Sequence, residues 1–200
     1  MEHLFAPEPI KLDLPDATFI YYPNFLKQEK ADLYFEKLLQ ETPWQQDDIT
    51  IFGKKIAQPR LTALYGNQGK TYSYAGITME SLPWNPTISQ LKEELETFIN
   101  HSFTTVLLNL YRNEKDSNGW HADNEKELGS DPIIASISLG ETRKFQIKHT
   151  ENKNIKCEIM LEHGSLLVMK EGSQLHYKHQ IPKSSQPKSE RINLTFRTIY

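Results

Sequence analysis

From residue 104 onward the chain breaks into short apolar runs, at 105–111, 133–139, 144–148, 155–161, 165–169 and 192–199. Loops rich in Gly, Asn, Asp, Ser and Lys separate them. Runs of this length, bounded by turn formers, predict strands. Many short strands with turn signals between them predict a double-sheet barrel, the jelly roll or double-stranded β-helix.

The first hundred residues follow a different pattern. Residues 1–16 carry three prolines and read as an extended arm. Residues 18–22 are β-branched and aromatic, hence a strand. Residues 27–40 place Leu33, Leu38 and Leu39 among charges at helical spacing, and Pro43 stops the run. A hairpin is predicted over 48–56 with Phe52-Gly53 at its tip, then a strand over 60–65 and a Gly- and Tyr-rich stretch to 76. Residues 87–100 form an amphipathic helix with Ile88, Leu91, Leu95, Phe98 and Ile99 on one side. The expected class is α+β, mainly β, with two N-terminal helices bracing one sheet. With 38% hydrophobic and 24% charged residues in a 200-residue chain, one domain is expected over 1–200. Residues 101–200 would be its jelly-roll core and 1–100 an N-terminal extension.

A net charge of -3 excludes a global basic field, though not a local basic rim. The single Cys157 cannot form an internal disulfide and fits a reducing compartment. The first residues lack the pattern of a secretory leader, and no run approaches a membrane span. A cytoplasmic protein without membrane contact is expected, nuclear if the source is eukaryotic, and monomeric.

His121-Ala122-Asp123 is the strongest chemical signal. Residues i and i+2 on a strand point the same way, so His121 and Asp123 share a face there. Joined by a distant His, they form the ligand set of a mononuclear iron(II) oxygenase, with three coordination positions left open. His176 and His179 both qualify by spacing. His3, His101, His149 and His163 have no partner at ligand spacing. Arg191 and Arg197 share one face of the last strand, with Ile192, Leu194 and Phe196 on the other. Two arginines on a barrel's inner face need anionic partners, either a bound dicarboxylate or internal Asp and Glu.

Several segments carry a resemblance over roughly 51–200. They are Asn109-Leu110-Tyr111-Arg112-Asn113-Glu114-Lys115-Asp116-Ser117, His121-Ala122-Asp123, Pro132-Ile133-Ile134-Ala135-Ser136, His163-Gly164-Ser165-Leu166 and Arg191-Ile192-Asn193-Leu194-Thr195-Phe196-Arg197. The last is an R-x-N-x-T-x-R signature. Together they resemble the AlkB family of Fe(II)- and 2-oxoglutarate-dependent nucleic-acid dealkylases, especially the animal members that repair alkylated DNA and RNA.

The resemblance implies His121, Asp123 and His179 as iron ligands, since the family's distal His precedes a hydrophobic-Pro step like Ile181-Pro182. It implies that Tyr111 and Arg191 hold the distal carboxylate of 2-oxoglutarate, that Asn109 and Arg197 support the end nearer the metal, and that Asn193 belongs to the same pocket. The implied reaction consumes O2 and demethylates 1-methyladenine and 3-methylcytosine, releasing formaldehyde, succinate and CO2. A methyl on the Watson–Crick edge is reachable only in a flipped or single-stranded base. The first hundred residues would then include a nucleotide-recognition hairpin region.

Expected substrate contacts follow from the resemblance for Tyr74, Phe52 and Arg60. Those of Glu125, Arg143, Lys144 and Lys148 follow from position or charge, where a solvated acid or a solvated basic face is the plain alternative. Glu125 would accept from an exocyclic amine, Tyr74 would stack on the flipped base with Tyr72 beside it, and Phe52 would fill the gap left in a duplex. Arg60, and Arg143 with Lys144 and Lys148, would contact phosphates. The competing readings are the same oxygenase chemistry on a protein or small molecule, and a metal-free binding module. Succinate formation and the choice of a methylated oligonucleotide over a free metabolite separate the three.

Overall fold

The structure, a computed structural model, describes residues 8–51, 54–74 and 77–200, with the backbone alone for Thr50, Ile51, Lys54, Tyr72, Ser73, Tyr74 and Ile77. In chain order the elements are β1 (Ile10–Lys11), β2 (Thr18–Tyr22), α1 (Gln28–Glu41), β3 (Asp48–Ile51), β4 (Lys54–Ala57), β5 (Leu61–Gly66), β6 (Thr71–Tyr74) and β7 (Ile77–Glu80). Then come α2 (Pro86–Ile99), β8 (Thr105–Tyr111), β9 (Asn118–His121), β10 (Ile134–Gly140), β11 (Arg143–His149) and β12 (Lys156–Leu161). β13 (Ser165–Lys170), α3 (Ser173–His176), β14 (Tyr177–Ile181) and β15 (Arg191–Arg197) complete the fold.

Two antiparallel sheets face each other. The major sheet runs β1-β2-β13-β10-β15-β8-β5 and the minor sheet β12-β11-β14-β9. This is the predicted jelly roll, and the two hairpins β3-β4 and β6-β7 stand apart from it as separate two-stranded sheets. The major sheet takes strands from both halves of the sequence, because β1, β2 and β5 pair into it.

Alternation along the central strands explains why the site lies between the sheets. β8 is buried along its whole length. Its Val106, Leu108 and Leu110 pack with Leu38 of α1 and Ile88, Leu91 and Leu95 of α2. β15 repeats the pattern, sending Ile192, Leu194 and Phe196 to the same core. A fully buried Leu or Ile contributes about 1.5–3 kcal/mol, so this stripe outweighs the modest propensity of either helix. Asn85 caps α2, its side chain accepting from the Ile88 N–H at 2.8 Å, and Pro86 follows at the first helical position. The opposite face of the major sheet meets Phe145, Ile147, Leu161, Tyr177 and Ile181 of the minor sheet in a second core.

Four short elements depart from the sequence reading. β1 gives the expected extended arm a pairing partner. β6 and β7 form within or beside the Gly- and Tyr-rich stretch, and β14 forms where no strand was predicted. The β10-β11 turn depends on Gly140, at φ 87°. A Cβ there would lie 2.5 Å from the Glu190 carbonyl oxygen and 2.7 Å from the Phe35 ring. Gly140→Ala is therefore expected to cost about 2 kcal/mol or more, seen as a lower urea midpoint at unchanged slope.

Candidate active site

His121, Asp123 and His179 converge. One ligand atom from each lies within 4.8 Å of the others, and they form the only such group of three or more among the described residues. β14 carries His179 at its centre, paired with His121 on one side and Ile147 on the other. The register between β14 and β9 shifts between His179 and Ile181, a bulge of the kind that re-aims side chains beside active sites. β9 ends at His121, so Asp123 lies just beyond it and not on the strand face that the i, i+2 argument assumed. Its position comes from other contacts. Its backbone N–H donates to Gln174 Oε1 at 2.8 Å, and its carboxylate accepts from Arg197 Nη2 at 3.0 Å. His176, the other spacing candidate, sits on α3 and stacks near His149, outside the cluster.

The protonation states suit a divalent metal. His121 Nδ1 lies 2.7 Å from the Gly119 carbonyl, which only accepts, so Nδ1 carries the proton and Nε2 keeps its lone pair. The His179 ring stacks on Phe145 with centroids 5.2 Å apart, and its Nδ1 is buried without a hydrogen-bond partner. Burial, with His121 adding to it, pushes His179 down to about 3. Burial opposes the charged form of Asp123, yet Arg197, His121 and His179 outweigh it and hold the carboxyl at about 2. Two neutral imidazoles and one carboxylate with open positions match the donor set of iron(II) oxygenases.

A cavity of about 400 Å³ adjoins the cluster. Its walls include Asn109, Tyr111, Arg191, Asn193 and Arg197, all the residues expected for the co-substrate. The two arginines have different partners. Arg197 pairs with Asp123, so the internal-partner reading holds for it. Arg191 is 1% exposed and donates Nη2 to Ser138 Oγ, while its Nε and Nη1 have no partner. Burial lowers it to about 10, and no carboxylate among the described residues lies within ion-pair distance. A buried guanidinium with unpaired donors is a site for a ligand carboxylate. The residues present fit both iron and 2-oxoglutarate.

Two expected phosphate contacts are corrected. Arg60 is buried in the cavity wall, where Nε donates to Asn109 Oδ1 at 2.7 Å and Nη1 to the Ser117 carbonyl at 3.1 Å. Arg143 is 1% exposed and donates to the carbonyls of Asn113, Asp116 and Pro182. Arg143 is closed off from the surface and Arg60 opens onto the cavity, because backbone and amide oxygens inside the fold hold both guanidiniums there. Lys144 pairs with Glu158 at the surface, and Lys148 lies over the Trp120 ring at 4.1 Å. Glu125 does line the cavity. The Tyr72 and Tyr74 side chains and the whole of Phe52 lie outside the described residues.

The sequence reading missed Gln174, Phe145, Ser136 and Ser138. Ser136 accepts from Asn193 Nδ2 at 2.7 Å. The alternation of the two serines with Ala135, Ile137 and Leu139 was a usable signal for an inward polar face. No spacing rule marked Gln174 or Phe145.

A jelly roll that encloses this donor set beside an arginine-walled cavity defines a mononuclear iron oxygenase. Residues 18–197 match the model of the 2OG-Fe(II) oxygenase superfamily. The chain is 43% identical to alpha-ketoglutarate-dependent dioxygenase alkB homolog 3 of Homo sapiens, over 98% of this chain and 74% of that protein. With the Bos taurus protein of the same name the identity is also 43%, over 89% of this chain and 65% of that one. It is 32% identical to DNA oxidative demethylase ALKBH2 of Bos taurus, over 89% of this chain and 68% of that protein. The solved structure of OsALKBH1 superposes at TM-score 0.67 and 17% identity, over 96% of this chain and all of that one, and so shares the fold. The chain belongs to the 2OG-Fe(II) oxygenase superfamily and, within it, to the AlkB homologues.

Both pKa shifts make the folded chain a weaker proton binder than the unfolded one. Their stability is fully present above the unfolded values of 6.5 for His179 and 3.8 for Asp123. It is lost as pH falls toward about 3 and about 2 respectively. The metal-free protein is expected to lose urea stability from pH 6.5 down to about 3, and His179→Gln to flatten that slope. An unchanged slope would contradict a neutral buried imidazole.

Proposed function

We propose that this chain oxidatively demethylates alkylated bases, 1-methyladenine and 3-methylcytosine, in DNA and secondarily in RNA, using iron(II), 2-oxoglutarate and O2. The products are formaldehyde, succinate, CO2 and the repaired base. It acts as a monomer in a reducing compartment, the cytoplasm or a eukaryotic nucleus, in keeping with its lone Cys157. Among the described residues no helix is long and apolar enough to cross a membrane. The observation that carries the reading is the metal-donor cluster and the Arg191 guanidinium, buried without a carboxylate partner among the described residues, in the walls of one cavity. The names of the relatives, a dioxygenase and a DNA oxidative demethylase, support the substrate class.

When bound, iron and the keto acid supply the oxidant that hydroxylates the N-methyl group. His121, Asp123 and His179 would hold the metal, and Arg191 with Tyr111 the distal carboxylate. Arg60 occupies Asn109 Oδ1, which leaves the Asn109 Nδ2 donors for the co-substrate. Arg197 keeps Asp123 ionised, so the carboxylate is ready to bind metal before any arrives. Ile49 and Ile56, cross-strand partners on the β3-β4 hairpin, line the cavity and give its wall an apolar patch. Glu125, in the cavity wall, would accept a hydrogen bond from the exocyclic amine of the extruded base and favour its cationic methylated form. Tyr72 and Tyr74 would stack near that base, and Phe52 would replace it in the duplex.

Iron- and 2-oxoglutarate-loaded protein, given a 3-methylcytosine oligonucleotide and air, is expected to lower its mass by about 14 units per lesion through loss of CH2. His179→Ala should abolish the change and His176→Ala should not; the reverse result would displace the ligand assignment. Phe52→Ala is expected to slow repair of duplex more than of single strands, measured on the same lesion in both contexts. Equal loss on both would remove the wedge.

A further inference from the structure

We propose that Arg143 is a positioning residue that makes the co-substrate pocket selective for dicarboxylates. Its buried charge stands behind Tyr111 and Arg191 and strengthens the hold on the ligand's second carboxylate. This rests on the reading of Arg191 as the distal-carboxylate site.

The position of Arg143 is unusual for a structural residue. It opens β11 directly after the β10-β11 turn and is among the largest side chains with under 2% exposure. It does not line the cavity. Its guanidinium carbon lies 5.4 Å from the Tyr111 ring centroid, and that of Arg191 lies 5.1 Å from the same centroid. Two buried cations thus share one aromatic ring, and neither has a carboxylate within ion-pair distance among the described residues. Arg143 donates instead to three backbone carbonyls, Asn113 at 3.2 Å and Asp116 and Pro182 at 2.8 Å each. Carbonyl dipoles, a π face and the more distant carboxylates of Asp116, Glu141 and Glu114 compensate the Arg143 charge only in part, and the two neighbouring guanidiniums repel each other. A hydrophobic side chain of similar volume would fill the space more cheaply if packing were the only need.

A bound carboxylate at Arg191 changes that balance. It satisfies the unpaired Nε and Nη1 of Arg191 and relieves the repulsion between the cations. Arg143 then adds its attraction through a low-dielectric interior. The same three hydrogen bonds fix the segment 112–117 and Pro182, so the charge is held in place before the ligand arrives. The field acts on a second carboxylate and has no purchase on an uncharged tail.

The test compares 2-oxoglutarate with 2-oxopentanoate, which keeps the keto-acid head and replaces the distal carboxylate with a methyl group. Dissociation constants are measured by calorimetry on Mn(II)-loaded protein, so turnover plays no part. Arg143→Gln is expected to weaken 2-oxoglutarate about tenfold and 2-oxopentanoate less than twofold. Arg143→Lys, which keeps the charge but cannot serve three carbonyls, should lower the melting temperature yet retain most of the selectivity. Equal weakening of both acids by Arg143→Gln, or full loss of selectivity in Arg143→Lys, overturns the proposal. A separate arm tests the reading beneath it. If wild-type protein does not prefer 2-oxoglutarate, or Arg191→Gln leaves the preference intact, the carboxylate site itself is misassigned.

Discussion

The buried ion pair between Asp123 and Arg197 is the interaction on which the rest of the site depends. A carboxyl taken out of water on its own would become protonated and useless as a ligand. Arg197, at the end of β15, keeps it charged and ties the loop after β9 to the major sheet. Gln174 anchors the same residue through its main chain. The ligand atoms therefore come from the minor sheet and its neighbouring loop, while the cation that keeps one of them ionised comes from the facing sheet. Bringing the two sheets together assembles the chemistry.

That arrangement relies on strict alternation in β8 and β15. Every second side chain is apolar and packs in the helix-side core, and of the residues between them Leu107, Asn109 and Tyr111 of β8 and Arg191, Asn193, Thr195 and Arg197 of β15 line the cavity. A one-residue slip in either strand would put Arg191 and Asn109 among leucines, at a cost no fold of this size tolerates. Specific chemistry and a specific core are thus enforced by one pattern.

Much of this was legible in the residues. Leu108, Leu110, Leu194 and Phe196 announced buried strands, and Leu91 and Leu95 a helix laid against them. The ligand pair and the arginine-bearing last strand were visible because rare residue types recur there at strand spacing. β14 escaped because Tyr177, Lys178, His179 and Gln180 are polar enough to read as loop, although their strand is held on both sides. Arg60 and Arg143 were misread for a different reason. Arginine is normally exposed, and nothing local shows that three carbonyls, or an amide and a carbonyl, await it inside. Asp123 lies off the strand because its place is set by Gln174 and Arg197, both distant in sequence.

β9 has one further consequence. Among the described residues it pairs only with β14, through an irregular register, and so forms an open edge of the minor sheet. One ligand of the triad thus rides on an edge strand with few main-chain bonds to lose. Occupancy by an ion would supply the cross-link that the ladder lacks, so any affinity for iron would contain the work of fastening a loose border.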